Sequence, residues 1–205
     1  MLKDGYTDVP PGKVVAVVTH LEMRAGPRLS EPTGDARVVL AGVVLRPVPK
    51  PSLDWYRDLY FRVGADWLWT FRLVLPDDQL AARIHDPKVV IFALERAGVT
   101  VGLLELDFRV VGACELALFG VVPGEIGRGS GRLMMQQAIR TAWSRPIDRF
   151  WVHTCTLDHP GALAFYMRSG FKPFRRQIEV IDDPRLTGTL PMTAAPNVPV
   201  IRPDR

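Results

Sequence analysis

Three glycines at alternate positions, Gly127, Gly129 and Gly131, sit between two runs of opposite character. Before them, Cys114 to Val122 is apolar and strand-like. After them, Ser130 to Ser144 has helical spacing, with Met134, Ala138 and Ala142 in one line and Met135, Ile139 and Trp143 beside it. A strand turning this tightly into a helix commits the chain to mixing sheet and helix. Such a turn also brings backbone N–H groups close to whatever lies outside it, because glycine has no Cβ to hold a neighbour away. The first turn of the following helix adds unpaired amides and the positive end of its dipole. Together these hold a pyrophosphate without a side chain. A P-loop is excluded, since the turn has no Gly-Lys-Ser/Thr and no Lys at all. A dinucleotide fingerprint is excluded too: the turn comes late in the chain and follows a hairpin, not the first strand of a parallel sheet. The bland alternative is a plain strand-to-helix turn, but three glycines are costly where nothing needs close approach.

The remaining elements follow from periodicity and punctuation. Lys13 to Met23 and Val38 to Val48 read as strands, with a loop between them marked by Gly26-Pro27 and Glu31-Pro32-Thr33-Gly34. Pro51-Ser52 begins a helix carrying Leu53, Tyr56, Tyr60 and Val63 to Gly64, and a shorter helix spans Asp77 to His85 with Leu80 and Ile84 inward. Strands follow at Val89 to Glu95, Val101 to Phe108 and Cys114 to Val122, joined by turns at Ala97-Gly98 and Val111-Gly112. Phe150 to Leu157 is a strand, Pro160 to Gly170 a helix with a glycine cap, and Phe174 to Ile181 a last strand. The expected fold class is α/β (α+β): a mixed, mostly antiparallel sheet of six to seven strands with helices on both faces. One domain is expected over 1–183, with an irregular, Pro-containing tail over 184–205.

Composition adds bounds. With 205 residues there is room for one sizeable core and hardly for two. No apolar run is long enough to cross a bilayer and the first residues lack an apolar signal region, so the cytoplasm is the expected compartment and no membrane partner is expected. Cys114 and Cys155 suit a reducing compartment as free thiols. A net charge of +4 favours anions without choosing between nucleic acid and a phosphate-bearing small molecule.

The glycine turn resembles that of the GNAT superfamily of N-acetyltransferases, whose signature Gln/Arg-x-x-Gly-x-Gly/Ala is met by Ile126-Gly127-Arg128-Gly129-Ser130-Gly131, with Ile126 as the departure. A second family element, Asn-x-x-Ala-x-x-x-Tyr-x-x-x-Gly-Phe, is met from His159 through Ala162, Tyr166 and Gly170 to Phe171, with His159 in place of Asn. The resemblance runs from about Val89 to Val180. It implies an acyltransferase that uses acetyl-CoA as co-substrate, needs no metal, and transfers an acetyl group directly to an amine of a small molecule or peptide.

The same resemblance implies the site. Phe119, Gly120, Val121 and Val122 occupy the splayed strand that pairs with the pantetheine arm. Ile126, Gly127, Arg128, Gly129, Ser130, Gly131 and Arg132 form the pyrophosphate cradle, and His159 and Tyr166 complete the cofactor side. Tyr166 matches the general acid toward the CoA sulfur; a packed aromatic is the alternative. Glu115 is the candidate base, with a water chain as the alternative. Glu105 and Asp107 lie on the preceding strand; one of them opposite Glu115 would raise a carboxylate pKa, or they bind a cationic acceptor. The family's acceptor wall falls on an aromatic stretch in which Trp67 and Trp69 are the candidate pocket residues, while Tyr56 and Tyr60 fall on the apolar helix stripe and read as core; Asp54, Asp58 and Asp66 are candidate anchors. His153 and Cys155 share a strand face, but no oxyanion turn follows Cys155, so a buried structural pair is expected rather than a nucleophile. No Cys/His/Asp/Glu spacing suggests a metal site.

Two rivals remain. A non-catalytic acyl-CoA-binding regulatory module would keep the turn and bind without turnover. A nucleic-acid-binding protein would want exposed aromatics among basic residues, and Lys172-Pro173-Phe174-Arg175-Arg176 is the single such passage, too short to favour that class. The exposed strand edges and the long tail leave a homodimer open.

Overall fold

The computed structural model describes residues 4–26, 38–40 and 42–204. In chain order the elements are β1 (Lys13–Met23), β2 (Val38–Leu40), β3 (Val43–Pro47), α1 (Leu53–Gly64), a 3-10 turn (Ala65–Trp67), α2 (Asp77–Ile84), β4 (Val89–Arg96), β5 (Val99–Asp107) and β6 (Ala113–Val121). A 3-10 turn (Pro123–Glu125), α3 (Ser130–Trp143), β7 (Arg149–Cys155), α4 (Ala162–Arg168) and β8 (Lys172–Asp182) follow. Among the described residues the strands make one eight-stranded sheet in the order β2-β3-β4-β5-β6-β7-β1-β8. The mixed, mostly antiparallel α/β architecture is the expected one. The extra strand arises because Val38 to Val48 does not run straight: Gly42, at φ 77°, turns it back so that Val39 pairs with Val44. The Gly26 to Gly34 loop expected before it lies mostly outside the described residues.

Local chemistry places the helices. Ser52 caps α1, its hydroxyl accepting from the Trp55 amide at 3.3 Å. Along α1, Tyr56, Leu59, Tyr60 and Val63 are buried, and α2 adds Leu80 and Ile84 to the same layer. On the opposite face of the sheet, Leu133, Met134, Met135, Ala138 and Ile139 of α3 pack with Leu104, Leu106, Phe150 and Val152. Burying each of the large side chains there is worth about 1.5–3 kcal/mol. The aromatics thus divide as expected at α1, where Tyr56 and Tyr60 are core with no measurable exposure.

Residues 184–204 are irregular, yet they carry their own buried cluster: Leu190, Ala194 and Ala195 pack on Val14 and Leu68. Asp183 and Arg185 form an ion pair at 2.7 Å that is almost wholly buried. The same guanidinium donates to the carbonyls of Ala194, Ala195 and Val198. The amide of Gly12 donates to the carbonyl of Ile201 at 2.7 Å, so the segment folds back beside the start of β1.

Two features of β6 shape everything that follows. First, the β5–β6 register slips by one residue: Leu106 faces Leu116 but Glu105 faces Leu118, leaving Ala117 as a β-bulge. The bulge exchanges the faces of the strand. Leu116 belongs to the α3 layer and Leu118 to the α1 layer, while Phe119 and Val121 return to the α3 side. Second, β6 and β7 are parallel neighbours, and a parallel pair needs a crossover, which α3 supplies. Their ladder covers only Ala113–Arg149, Cys114–Phe150 and Glu115–Trp151. Beyond Glu115 the two strands part.

Candidate active site

The gap between the parted strands is a cavity of about 550 Å³. Leu116 to Val121 form one wall and Val152, His153 and Cys155 the other. The glycine turn closes one end, through Ile126, Gly127 and Gly131, and Phe165 and Tyr166 of α4 lie beside it. Trp67, Trp69, Phe71, Leu157, Glu179 and Ile181 also line it.

The turn has the geometry its glycines anticipate. Gly127 and Gly129 take left-handed backbone, at φ 82° and 83°, and Gly129 serves as the N-cap of α3. A Cβ built on either would meet no atom within 4 Å, so their outer faces border open space. The amides of Ser130, Gly131 and Arg132 head a 14-residue helix, where the first turn has no helical acceptors to offer the leading N–H groups. The Arg132 amide turns back to the Gly129 carbonyl at 3.1 Å. A buried carboxylate that sequence reading missed braces this loop. Glu125 takes a forked ion pair from Arg96, at 2.6 and 2.9 Å, and accepts from the Ser130 hydroxyl. The Arg96 guanidinium holds the Glu125 carboxyl below the usual carboxylate range.

The residues singled out on the donor side fall into four groups. Phe119, Val121, Ile126, Gly127, Gly131, His159 and Tyr166 line the cavity. Gly129 shapes the turn, and Ser130 points inward to Glu125 rather than outward to a ligand. Val122 stands apart: its amide donates to the Val101 carbonyl at 2.9 Å. Arg128 and Arg132 are exposed on the turn and the first turn of α3. His159 accepts from the Gly161 amide through Nδ1 at 3.0 Å and meets Trp67 edge-on, 5.5 Å between ring centres. Phe119 stacks on Phe165 at 5.6 Å, and both crowd Tyr166. Burial raises the Tyr166 phenol well above its ordinary range, so it keeps its proton at neutral pH.

On the other side, Trp67 and Trp69 both line the cavity, and Trp69 is fixed there by a 2.9 Å hydrogen bond from its indole to Asp158. Asp158 also accepts from the Thr154 hydroxyl and the Cys155 amide, at 2.7 and 2.8 Å. Nothing in the sequence links Asp158 to Trp69, which lies 89 residues away along the chain.

The three carboxylates of β5 and β6 part company. Glu105 is wholly buried, paired with Arg72 at 2.5 Å and accepting from the Tyr56 hydroxyl, so it faces the core and not the cavity. Asp107 is paired with Arg109 at 2.5 Å, and Arg109 holds its carboxyl low against the opposing effect of burial. Glu115 sits directly opposite Asp107 across the β5–β6 ladder. Burial, reinforced by the Asp107 charge, pushes Glu115 up to about 7. It opens on a smaller hollow bounded by Asp107, Arg109 and Trp151 rather than on the main cavity.

His153 joins the two spaces. The sequence points to a buried structural pair with Cys155, yet the His153 side chain is 46% exposed, lines the cavity, and brings Nδ1 within 3.8 Å of Glu115 Oε1. The strand separation that opens the cavity is what uncovers it. Burial and the neighbouring His20 hold its imidazole below the usual range, hence neutral. Cys155 is no nucleophile in waiting, for burial pushes its thiol up to about 11.

A sequence model described as the acetyltransferase (GNAT) family matches residues 53–171. No curated protein matches the chain. Among solved structures, the fold is similar to a GCN5-related N-acetyltransferase from Sphaerobacter thermophilus, at 17% identity and a TM-score of 0.60, over 82% of this chain and 52% of that one. A functionally unknown conserved protein from Staphylococcus epidermidis shares the fold at 9% identity and a TM-score of 0.56, over 84% and 63% of the two chains. An aminoglycoside acetyltransferase from an uncultured soil metagenomic sample does so at 13% identity and a TM-score of 0.53, over 63% and 88%. This chain thus spans about half to two thirds of the first two of these proteins. Among the described residues no helix is long and apolar enough to cross a membrane, and no group of three or more His, Cys, Asp and Glu is placed to hold a metal.

Proposed function

Because the chain belongs to the GNAT acetyltransferase family, whose general activity is acetyl transfer from acetyl-CoA, we propose that it passes that acetyl group directly to an amine in a ternary complex. The acceptor is a small molecule or a peptide amine. One observation carries the reading: the unpaired edge of β6 and the open glycine turn meet along a single cavity, so backbone donors for an extended arm and for a pyrophosphate lie end to end. The open space outside Gly127 and Gly129 is room of the kind a phosphate needs.

The donor supplies the activated acetyl group, and the chain supplies orientation and proton handling. An amide near Val121, on the free edge, offers a hydrogen bond to a developing oxyanion. Tyr166, protonated and bordering the cavity, donates a proton to the departing sulfur. On the acceptor side the ammonium loses its proton to neutral His153, which passes one from Nδ1 to Glu115; Glu115 discharges into the smaller hollow. Trp67 and Trp69 hold the apolar part of the acceptor.

Thermal denaturation with acetyl-CoA, ATP or NAD tests the donor site. Acetyl-CoA at a hundred times its dissociation constant adds roughly 2.7 kcal/mol of stability to a protein that binds it only when folded. The expected result is a shift with acetyl-CoA alone. Tyr166→Phe keeps that shift and slows thiol release in an amine screen. A shift with ATP or NAD instead removes the reading, and binding with no turnover of any amine makes the chain a regulatory module.

Glu115 adds a pH signature. Its carboxylate accepts protons only when ionised, so kcat/KM climbs as pH rises through about 7 and levels off above it. Glu115→Gln is expected to remove that limb and to lower the plateau by about 10²–10⁴-fold. A profile with the same limb in the variant assigns the titration to another group.

A further inference from the structure

The last strand is the outermost of the sheet, and its free edge is long. β8 pairs with β1 on one side and has no strand on the other among the described residues. Nearly all of its eleven residues are exposed. An unpaired edge of this length presents a row of N–H and C=O groups that can accept another strand. On one face, Ile178 and Val180 are about half exposed, and they stand directly across from Val17 and Val15 of β1, so a stripe of branched apolar side chains faces water.

The charges along β8 are ordered. Lys172, Arg175 and Arg176 occupy its first half, Glu179 and Asp182 its second. A parallel neighbour of the same sequence would set like charges side by side. An antiparallel neighbour reverses them. With Gln177 opposite Gln177, Arg175 faces Glu179 of the second copy, and the symmetry repeats the pair. The register of β8 on β1 puts Arg175, Gln177 and Glu179 on one face, opposite His20, Val18 and Ala16. Ile178 falls opposite Arg176 on the other face, where it packs on the aliphatic stem of that arginine and lies diagonal to the second Ile178. Beyond the irregularity at Phe174, Lys172 and Asp182 keep the same sense of charge.

We propose that β8 is a self-association surface, on which a second copy of this chain docks by two-fold antiparallel pairing centred on Gln177. Such an interface is isologous and closed, so it stops at two copies and buries both free edges at once. The acidic half of the strand argues against a nucleic-acid partner, since Glu179 and Asp182 would repel the phosphates that Arg175 and Arg176 attract. Glu179 also lines the main cavity, so docking brings a guanidinium of the second copy to a carboxylate of the cleft wall. The proposal does not depend on the acetyl-transfer reading, because its readout is mass.

The test is light scattering and sedimentation of the full chain across a concentration series. The expected result is twice the 22.9 kDa chain mass. Arg175→Glu and Glu179→Arg are each expected to weaken the dimer at least about tenfold, by setting like charges opposite one another. The double variant R175E/E179R restores the pairing in reverse and should recover most of the loss. Melting curves of the single variants confirm that these exposed substitutions leave the monomer folded. A wild-type chain that stays monomeric at every concentration overturns the proposal, as does a dimer whose single variants do not weaken or are not rescued by the double. A monomer that binds random oligonucleotides with steep salt dependence also overturns it, and assigns the basic half to nucleic acid.

Discussion

Gly131→Val is expected to raise the dissociation constant of acetyl-CoA by at least about 100-fold, a loss of roughly 2.8 kcal/mol. Gly131 is the second residue of α3 and borders the cavity. A Cβ there would meet only the Phe165 ring, at 3.7 Å, which is ordinary contact, so the apo-protein accommodates the change. What the branched side chain takes away is access to the first-turn amides. Gly129→Val blocks the same approach but confounds it, because an L side chain at φ 83° costs about 1–2 kcal/mol in the fold itself. Titration calorimetry with acetyl-CoA, beside the melting temperature of the apo-variant, separates the two effects. Unchanged affinity in Gly131→Val would move the pyrophosphate away from this turn.

The second large effect is on stability. Glu105→Leu is expected to cost about 3–5 kcal/mol, because it strands the Arg72 guanidinium in the core with its countercharge gone. Both side chains are at most 1% exposed, and arginine cannot shed its proton to escape the penalty. The double variant R72M/E105L should recover most of the loss, since replacing a whole buried ion pair with apolar side chains is often neutral. Urea unfolding of the two single variants and the double measures this directly. A loss below about 1 kcal/mol in Glu105→Leu would mean that water reaches the pair. Arg72 also lies three residues beyond Trp69, so the same variant should loosen the aromatic wall of the cavity.

The features legible in the sequence were those written in short, local signals. The glycine turn, the Ser52 cap, the Ala97-Gly98 hairpin and the apolar stripe of α1 each depend on residues within one or two turns of one another, and each lies where the spacing predicts. Less legible was whatever depends on register. The bulge at Ala117 has no compositional mark, because the residues on both sides of it are apolar and either face could have been the inner one. That bulge belongs to the strand that separates from β7, and His153, read as a core residue, comes to border the cavity. Long-range ion pairs were also hidden: Arg72 with Glu105 and Arg96 with Glu125 are brought together by the sheet, and neither member announces its partner. Glu105 and Asp107 looked alike as strand carboxylates. Their fates differ because one meets a buried guanidinium from the loop after α1 and the other a half-exposed one two residues on.

The segment anchored by Arg185 gives one part of the cavity wall its own support. Its Leu190, Ala194 and Ala195 pack against Leu68, with Leu157 and Ile181 alongside, and these three form part of the wall far from the glycine turn. The turn itself is braced by the ion pair of Arg96 and Glu125. On the proposed function, substitutions in residues 184–204 alter the wall assigned to the acceptor, while the glycine turn keeps its own brace.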